Sequence, residues 1–226
     1  MRLISLIAIL CIGTFASLNA QRTVEPHFYV GGKGGVSLAR TNFSPSVPQS
    51  FAIGKTAGVT FRYSEENHFG VICELNFIER GWKETFEDTP HQYSRKLTYI
   101  QLPMLTHIFF GSKKAKGFFN LGPEICVLIG DSHTTNFDVN NVEGDNTFPS
   151  THRSEQYIIP DTKKFDYGIS AGLGFELVMK SRHSILMEGR FYYGLGNVFP
   201  DHKTDFFSAS SSMTISVSLG YMFRLK

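Results

Sequence analysis

The sequence predicts an all-β protein: an eight-stranded antiparallel up-and-down transmembrane β-barrel, with long outer loops and short periplasmic turns. Three observations carry this reading. The final stretch, Ser212 to Leu225, alternates Met213, Ile215, Val217, Leu219, Tyr221, Phe223 and Leu225 with Thr214, Ser216, Ser218, Gly220 and Arg224. Successive side chains on a strand point to opposite faces, so this is one strand with an unbroken apolar face. Its other face is small and nearly uncharged, broken only by Met222, which suits the inside of a narrow closed barrel with grease outside. Second, seven more segments repeat the pattern. Third, the connections between them alternate long and short.

Length and composition set the frame. At 226 residues the chain suffices for one β-domain or two small ones, and a net charge of +2 is too slight to point to nucleic acid or an acidic polymer. Aromatics at 14% and abundant Gly favour a β-protein over a helical bundle. Residues 1–20 read as a cleaved secretory signal: Arg2 gives the positive start, Leu3 to Leu18 is apolar, and Leu18-Asn19-Ala20 precedes Gln21. Cys11 does not make a lipoprotein signal, because Ile9-Leu10 stand where small residues are needed. Residues 21–226 are then the barrel domain. Cys73 and Cys126 fall on opposite-facing positions of strands that are not neighbours, so both are expected as free thiols.

The eight segments follow in order. The first is about Phe28 to Leu38, loosened by Gly31, Gly32, Gly34 and Gly35. Ile53 to Tyr63 sets Ala57, Val59, Phe61 and Tyr63 against Thr56, Gly58, Thr60 and Arg62. His68 to Ile78 sets Phe69, Val71, Cys73, Leu75 and Phe77 against Gly70, Glu74 and Asn76. The fourth, Lys96 to Phe109, contains Pro103, which should cost a ladder hydrogen bond or mark a bulge. Phe118 to Ile129 alternates Phe119, Leu121, Ile125, Val127 and Ile129 with Asn120, Gly122 and Glu124. Phe165 to Leu177 is as regular as the last strand, with Asp166, Gly168, Ser170, Gly172, Gly174 and Glu176 on its polar face. Ser184 to Leu195 carries Met187, Phe191 and Tyr193 opposite Glu188 and Arg190. Each segment reaches the roughly 9–11 residues that a tilted strand needs to cross a bilayer.

The connections run long (39–52), short (64–67), long (79–95), short (110–117), long (130–163), short (180–183) and long (196–211). A membrane barrel keeps this order, with short turns in the periplasm. An even strand count then puts both termini in the periplasm and the chain in the cell outer membrane. Aromatics near strand ends read as interface girdles: Tyr63, Phe69, Phe109, Phe110, Phe118, Phe119, Tyr221 and Phe223 toward the turns, Trp82 and Tyr99 toward the loops. A soluble lipocalin-like barrel would instead show Lys and Glu outside and hide its apolar face around a ligand.

Four motifs carry a family likeness: Tyr99-Ile100-Gln101-Leu102-Pro103-Met104-Leu105, Asn120-Leu121-Gly122-Pro123-Glu124, Phe165-Asp166-Tyr167-Gly168 and Gly189-Arg190-Phe191-Tyr192-Tyr193-Gly194-Leu195. Together they resemble the PorT-like outer-membrane β-barrel family of Bacteroidota over essentially the whole mature chain, although Gln101 stands where that family often has Glu. Ser218 to Leu225 is similar to the C-terminal signal read by the barrel-assembly machinery. The resemblance implies an outer-membrane barrel and, through the family's name, a role accessory to protein secretion or transport.

No motif argues for catalysis, and no cofactor or metal is expected. Gly168-Ile169-Ser170-Ala171-Gly172 matches the hydrolase nucleophile elbow, but that chemistry needs a sharp strand-to-helix turn, and alternation runs straight through. Gly31-Gly32-Lys33-Gly34-Gly35 lacks a following helix, so it reads as strand rather than phosphate loop. The eight histidines show no ligand spacing. Asp131-Ser132-His133 and Asp201-His202 are expected in outer loops, where a lipid- or peptide-modifying rim would sit. Asp138, Asn140, Asn141, Glu143, Asp145 and Asn146 make the 130–163 loop oxygen-rich, without EF-hand spacing.

The candidate site is therefore the barrel interior. Arg62, Glu74, Glu124, Glu176, Glu188 and Arg190 cannot stand unpaired in a narrow lumen, since an isolated buried charge is very costly. About eight strands leave room only for side chains, so these six are expected to plug the barrel rather than line a pore. The expected role is non-catalytic, structural or interactive, with a small channel, a membrane enzyme and a lipocalin-like binder as alternatives. The expected partners are outer-membrane lipid, the assembly machinery, and a cell-surface or secretion-apparatus component met by the outer loops.

Overall fold

The computed structural model describes residues 26–65, 68–84, 86, 90–139, 142, 148–149, 157, 162–180, 182–200 and 207–225; the signal segment 1–20 lies outside them. Nine strands form: β1 (His27–Ser44), β2 (Gln49–Ser50), β3 (Ala52–Ser64), β4 (Phe69–Glu84), β5 (Tyr93–Gly111), β6 (Ala115–Thr135), β7 (Phe165–Lys180), β8 (His183–Asn197) and β9 (Ala209–Arg224). β2 is a two-residue patch on the end of β4. The other eight pair antiparallel with their chain neighbours, and β1 pairs with β9 from Tyr29↔Arg224 to Ser44↔Ala209, so the sheet closes on itself. Each of the eight long strands thus has a ladder partner on both sides, which is the condition for a sheet in lipid.

Alternation decides which side of the wall each residue takes. On β3, Val59 and Phe61 are exposed outside while Thr56, Thr60 and Arg62 are buried inside; on β7, Ile169, Leu173 and Phe175 point out while Asp166, Ser170 and Glu176 point in. The result inverts a soluble protein: an apolar exterior around a polar interior. That arrangement removes the lipocalin-like alternative, whose apolar face would have to line the cavity. Large rings and glycines complement each other within the lumen. A Cβ at Gly174 would strike the Phe118 ring, and one at Gly168 the Tyr192 ring.

Several expectations are corrected. β1, β4 and β6 run past Leu38, Ile78 and Ile129 to Ser44, Glu84 and Thr135. Apolar patterning stops where lipid stops, but the hydrogen-bonded ladder continues above it. Asp131, Ser132 and His133 consequently lie in β6 rather than in a loop. A bulge accompanies them: Thr98 pairs with Gly130 but Tyr99 with Leu128, so Ile129 is an extra residue. Trp82, Tyr99, Phe109 and Phe118 are buried inside the barrel and not on a girdle, because each is in phase with the inward row of its strand. Phe69, Phe110 and Tyr221 stay exposed outside, with Tyr63, Phe119 and Phe223 half-buried. Pro103 has the expected effect, since the β4–β5 ladder skips Leu102 and Pro103. Cys73 is exposed, Cys126 is buried, and both are free thiols.

A charge placed on the lipid-facing row near the middle of a strand tests this wall. Leu173→Arg on β7, 68% exposed in the isolated chain, should lower folding stability by about 2–4 kcal/mol. The readout is urea-dependent folding into lipid vesicles; an unchanged transition midpoint would mean that Leu173 does not meet hydrocarbon.

Candidate functional site

The strands project the six sequence-predicted residues into one lumen, where they fall into stacked tiers. Nearest the short turns, Arg62 of β3 grips Glu176 of β7 with both ends of its guanidinium, at 2.7 and 3.0 Å. This fork-to-fork geometry is the strongest form of the pair. The Arg62 guanidinium also lies 4.1 Å from the Tyr29 ring centroid. His107 joins the tier, its Nδ1 2.7 Å from Asn120 Oδ1 and its Nε2 3.4 Å from Arg62. With Asn120 accepting from Nδ1, Nε2 is left to accept from Arg62.

The middle tier is a charge-balanced quartet. Glu74 of β4 accepts from Arg190 of β8 at 2.6 and 3.0 Å and from Lys33 of β1 at 2.7 Å. Glu188 accepts from Arg190 at 2.8 Å, from Asn120 at 2.8 Å and from Lys33 at 3.4 Å. Asn76 donates a further 2.8 Å bond to Glu74. The carboxylate oxygens are thus held by donors from several staves, which is what a buried charge requires.

Toward the loops, Arg80 of β4 takes the corresponding place. It donates to Glu124 at 2.6 Å and to Asp166 at 3.4 Å, and lies 3.8 Å from the Tyr192 ring centroid. Glu124 also accepts from Gln101 and Ser170, each at 2.5 Å, while Tyr192 donates to Asp166 at 2.8 Å. Ser170 is therefore a fully buried donor on a straight strand, and the elbow motif is structural. The glycine run likewise belongs to β1, and its Lys33 faces the lumen rather than a phosphate.

Above this the lumen ends in a lid. Phe43, Trp82, Tyr93, Phe199 and Phe207 form one buried cluster. Arg95 lies over Trp82 and Phe199 and grips Asp131 at 3.0 and 2.7 Å, with Thr162 bonded to both. Burial alone would raise the Asp131 carboxyl. The hydrogen bonds from Arg95 and Thr162 outweigh it and hold the group below its ordinary pKa. His133 packs beside Tyr93 and meets no carboxylate at ion-pair distance among the described residues. Asp201, His202, Asn140, Asn141, Glu143, Asp145 and Asn146 lie outside the described residues. Among the described residues no three His, Cys, Asp or Glu side chains are placed to hold a metal.

Sequence reasoning missed Lys33, Arg80, Asp166, Gln101, His107 and Tyr192 as members of this network. Arg80 and Lys33 were findable, since each keeps the phase of its strand's inward row. Gln101, His107 and Tyr192 sit among apolar residues, where nothing in the pattern marks a polar partner opposite.

Two outcomes test the site. Glu124→Leu leaves Arg80 short of a carboxylate and should cost about 3–5 kcal/mol, while adding Arg80→Met should recover most of it; equal losses in the single and double variants would deny the coupling. Asp131, with its folded pKa lowered, contributes stability above its unfolded pKa and loses it as pH falls through the folded value. Emission from Trp82, the single tryptophan, should hold steady from neutral pH and shift to the red only below about pH 4. Asp131→Asn should abolish that pH dependence; a transition that survives it would place the titrating group elsewhere.

A family model described as outer membrane protein beta-barrel domain matches residues 15–200. No curated protein matches the sequence. Among solved structures, OprG from Pseudomonas aeruginosa superposes with a TM-score of 0.52 at 9% identity, over 88% of this chain and 96% of that one. Neisserial surface protein A gives 0.47 at 13% identity, over 87% and 96%. Ail of Yersinia pestis, solved with the heparin analogue sucrose octasulfate, gives 0.41 at 11%, over 87% and 99%. The OprG likeness agrees with the closed wall described above, and the family match covers most of the chain. This is an outer-membrane protein, and it belongs to the outer membrane protein beta-barrel domain family.

Proposed function

We propose that the protein is a non-catalytic outer-membrane barrel, sealed by its interior network, that works as a structural or interaction element through its loop end. The observation that supports this most is the filled lumen. Between the charge tiers the voids measure about 20, 20 and 10 Å³, where a single water needs roughly 10–15 Å³; the wider space, about 600 Å³ bordered by Tyr29, Phe109 and Glu176, is a vestibule at the turn end. A solute conduit has no room, so the channel reading is disfavoured. The rim residues offered for catalysis also fit poorly: the Asp131 carboxylate is engaged by Arg95 and Thr162 and is not free to act as a base.

The motif resemblance to PorT-like barrels of Bacteroidota supports a role accessory to protein secretion, with a secretion-apparatus or cell-surface component as the loop-end partner. The C-terminal Ser218–Leu225 is the segment we assign to recognition by the assembly machinery. The start of β1 at His27 and the end of β9 at Arg224 lie at the end that carries the short turns, which in our reading faces the periplasm.

Planar-bilayer recordings test the seal. The wild-type protein should show no conductance, whereas Glu74→Ala with Arg190→Ala, which removes a pair without leaving a lone charge between the two, should give measurable steps. Steady wild-type conductance would overturn the sealed reading. An epitope inserted between residues 140 and 147 should be reached by antibody on intact cells, and one appended after Lys226 should not; the reverse labelling would invert the topology.

A further inference from the structure

The wall is not uniform. β3 and β4 pair from Ser64↔Gly70 to Thr56↔Ile78, and there the ladder stops although both strands continue. Residues 52–55 pair only with β1, and 79–82 only with β5, until Lys83 and Glu84 meet β2. Side groups take over part of the lost ladder: Ser37 donates to the Glu79 carbonyl at 2.6 Å, and the Lys55 amide donates to the Glu79 carboxylate at 3.1 Å. Gly81 lets β4 bend away. Its φ is 145°, a conformation that other residues rarely adopt, and a Cβ there would strike the Arg95 carbonyl.

The parting leaves a cavity of about 280 Å³ in the wall. It is lined by inward-facing Arg80 and Arg95 and by outward-facing Phe51, Ile53, Lys83 and Lys96, so it joins the two faces of the sheet. Around its mouth, among the described residues, the outward row carries Arg40, Lys55, Lys83 and Lys96 against the carboxylate of Glu79. Lys96 reaches Glu79 at 3.6 Å, and Lys83 meets no carboxylate among the described residues. Below the mouth the same outward rows turn wholly apolar, with Val59, Leu75, Phe77 and Leu102 exposed. Backbone left without a ladder is tolerated at a membrane only beside water, protein or another polar group. Excess positive charge above an oily wall therefore calls for a ligand that is anionic at one end and alkyl at the other.

We propose that this wall cavity binds the phosphate headgroup of an anionic membrane lipid, with its chains lying down the outer faces of β3 and β4. Lys83 and Lys96 hold the phosphate, and Phe51 and Ile53 cover the first methylenes. The inference rests on the membrane reading of the barrel.

Lipid retention by the full mature protein in mixed detergent micelles tests it, with phosphatidylglycerol and phosphatidylcholine as probes and native mass spectrometry as readout. Wild-type protein should retain phosphatidylglycerol in preference. Lys83→Ala with Lys96→Ala should weaken that retention roughly thirty-fold, about fivefold per lysine, while Lys83→Arg with Lys96→Arg restores it. Lys113→Ala with Lys114→Ala, at the turn end, should leave it unchanged. The heat-dependent gel shift of a folded barrel controls for folding of each variant. Equal retention of both lipids, an equal loss in the turn-end control, or displacement by inorganic phosphate at matched concentration would overturn the site. Failure of the membrane reading shows separately, as a protein that stays monodisperse in plain buffer before lipid or detergent is added.

Discussion

Hydrocarbon offers a backbone no hydrogen-bond partner, and the rest of this structure follows from that lack. A sheet of alternating residues would be marginal with two free edges; pairing β1 with β9 removes them. Closure in turn fixes which side of every strand is enclosed, so one periodicity sorts the apolar residues to lipid and the polar ones to the lumen. Where the ladder fails, something takes its place. Pro103 has no N–H to contribute, and its gap lies between strands that remain paired on both sides of it. The parting at Gly81 is partly bridged by Ser37 and Glu79, and it sits at the loop end of the wall rather than midway along it.

The enclosed side poses the same problem for charges. Arg62–Glu176, Glu74–Arg190 and Arg80–Glu124 each join strands that are not ladder neighbours, so they reach across the lumen instead of along the wall. Buried ion pairs of this kind contribute little net stability, because desolvation offsets their attraction. Their consequence is specificity. A one-residue slip in any stave would turn its interior charge toward lipid and its apolar row toward the lumen. Each misplaced charge costs about 2–4 kcal/mol at mid-membrane, and its former partner is left unpaired as well. The network therefore penalises wrong registers far more than it rewards the right one.

The barrel itself was legible because its signal is long-range and redundant: eight strand-length segments, most of which name their own inward face by alternation. Arg62, Glu74, Glu124, Glu176, Glu188 and Arg190 could be named because each is a charge in phase with the row opposite its strand's apolar face. What the sequence left hidden is of two kinds. Strand ends fall short in the sequence, because above the lipid edge the pattern loses its apolar half while the ladder goes on; Arg80 is missed that way, and Trp82 and Asp131 are misplaced to a girdle and a loop. The phase of β5 was hidden differently. Leu97, Tyr99, Leu105 and Phe109 face inward while Ile100, Leu102, Met104 and Ile108 face outward. With apolar residues on both faces, alternation cannot tell lumen from lipid, and only the neighbouring strands decide.

β5 also explains why the interior is closed rather than merely narrow. Its inward Tyr99 and Leu105 are buried, Phe118 of β6 and Tyr192 of β8 occupy space that Gly174 and Gly168 of β7 leave open, and carboxylates and guanidiniums pack among them. The lumen is packed from opposite staves and capped at the loop end by Phe43, Trp82, Phe199 and Phe207. The wall itself opens where β3 and β4 separate. There Arg80 and Arg95 turn inward to Glu124 and Asp131, while Lys83 and Lys96 lie on the outward face of the wall.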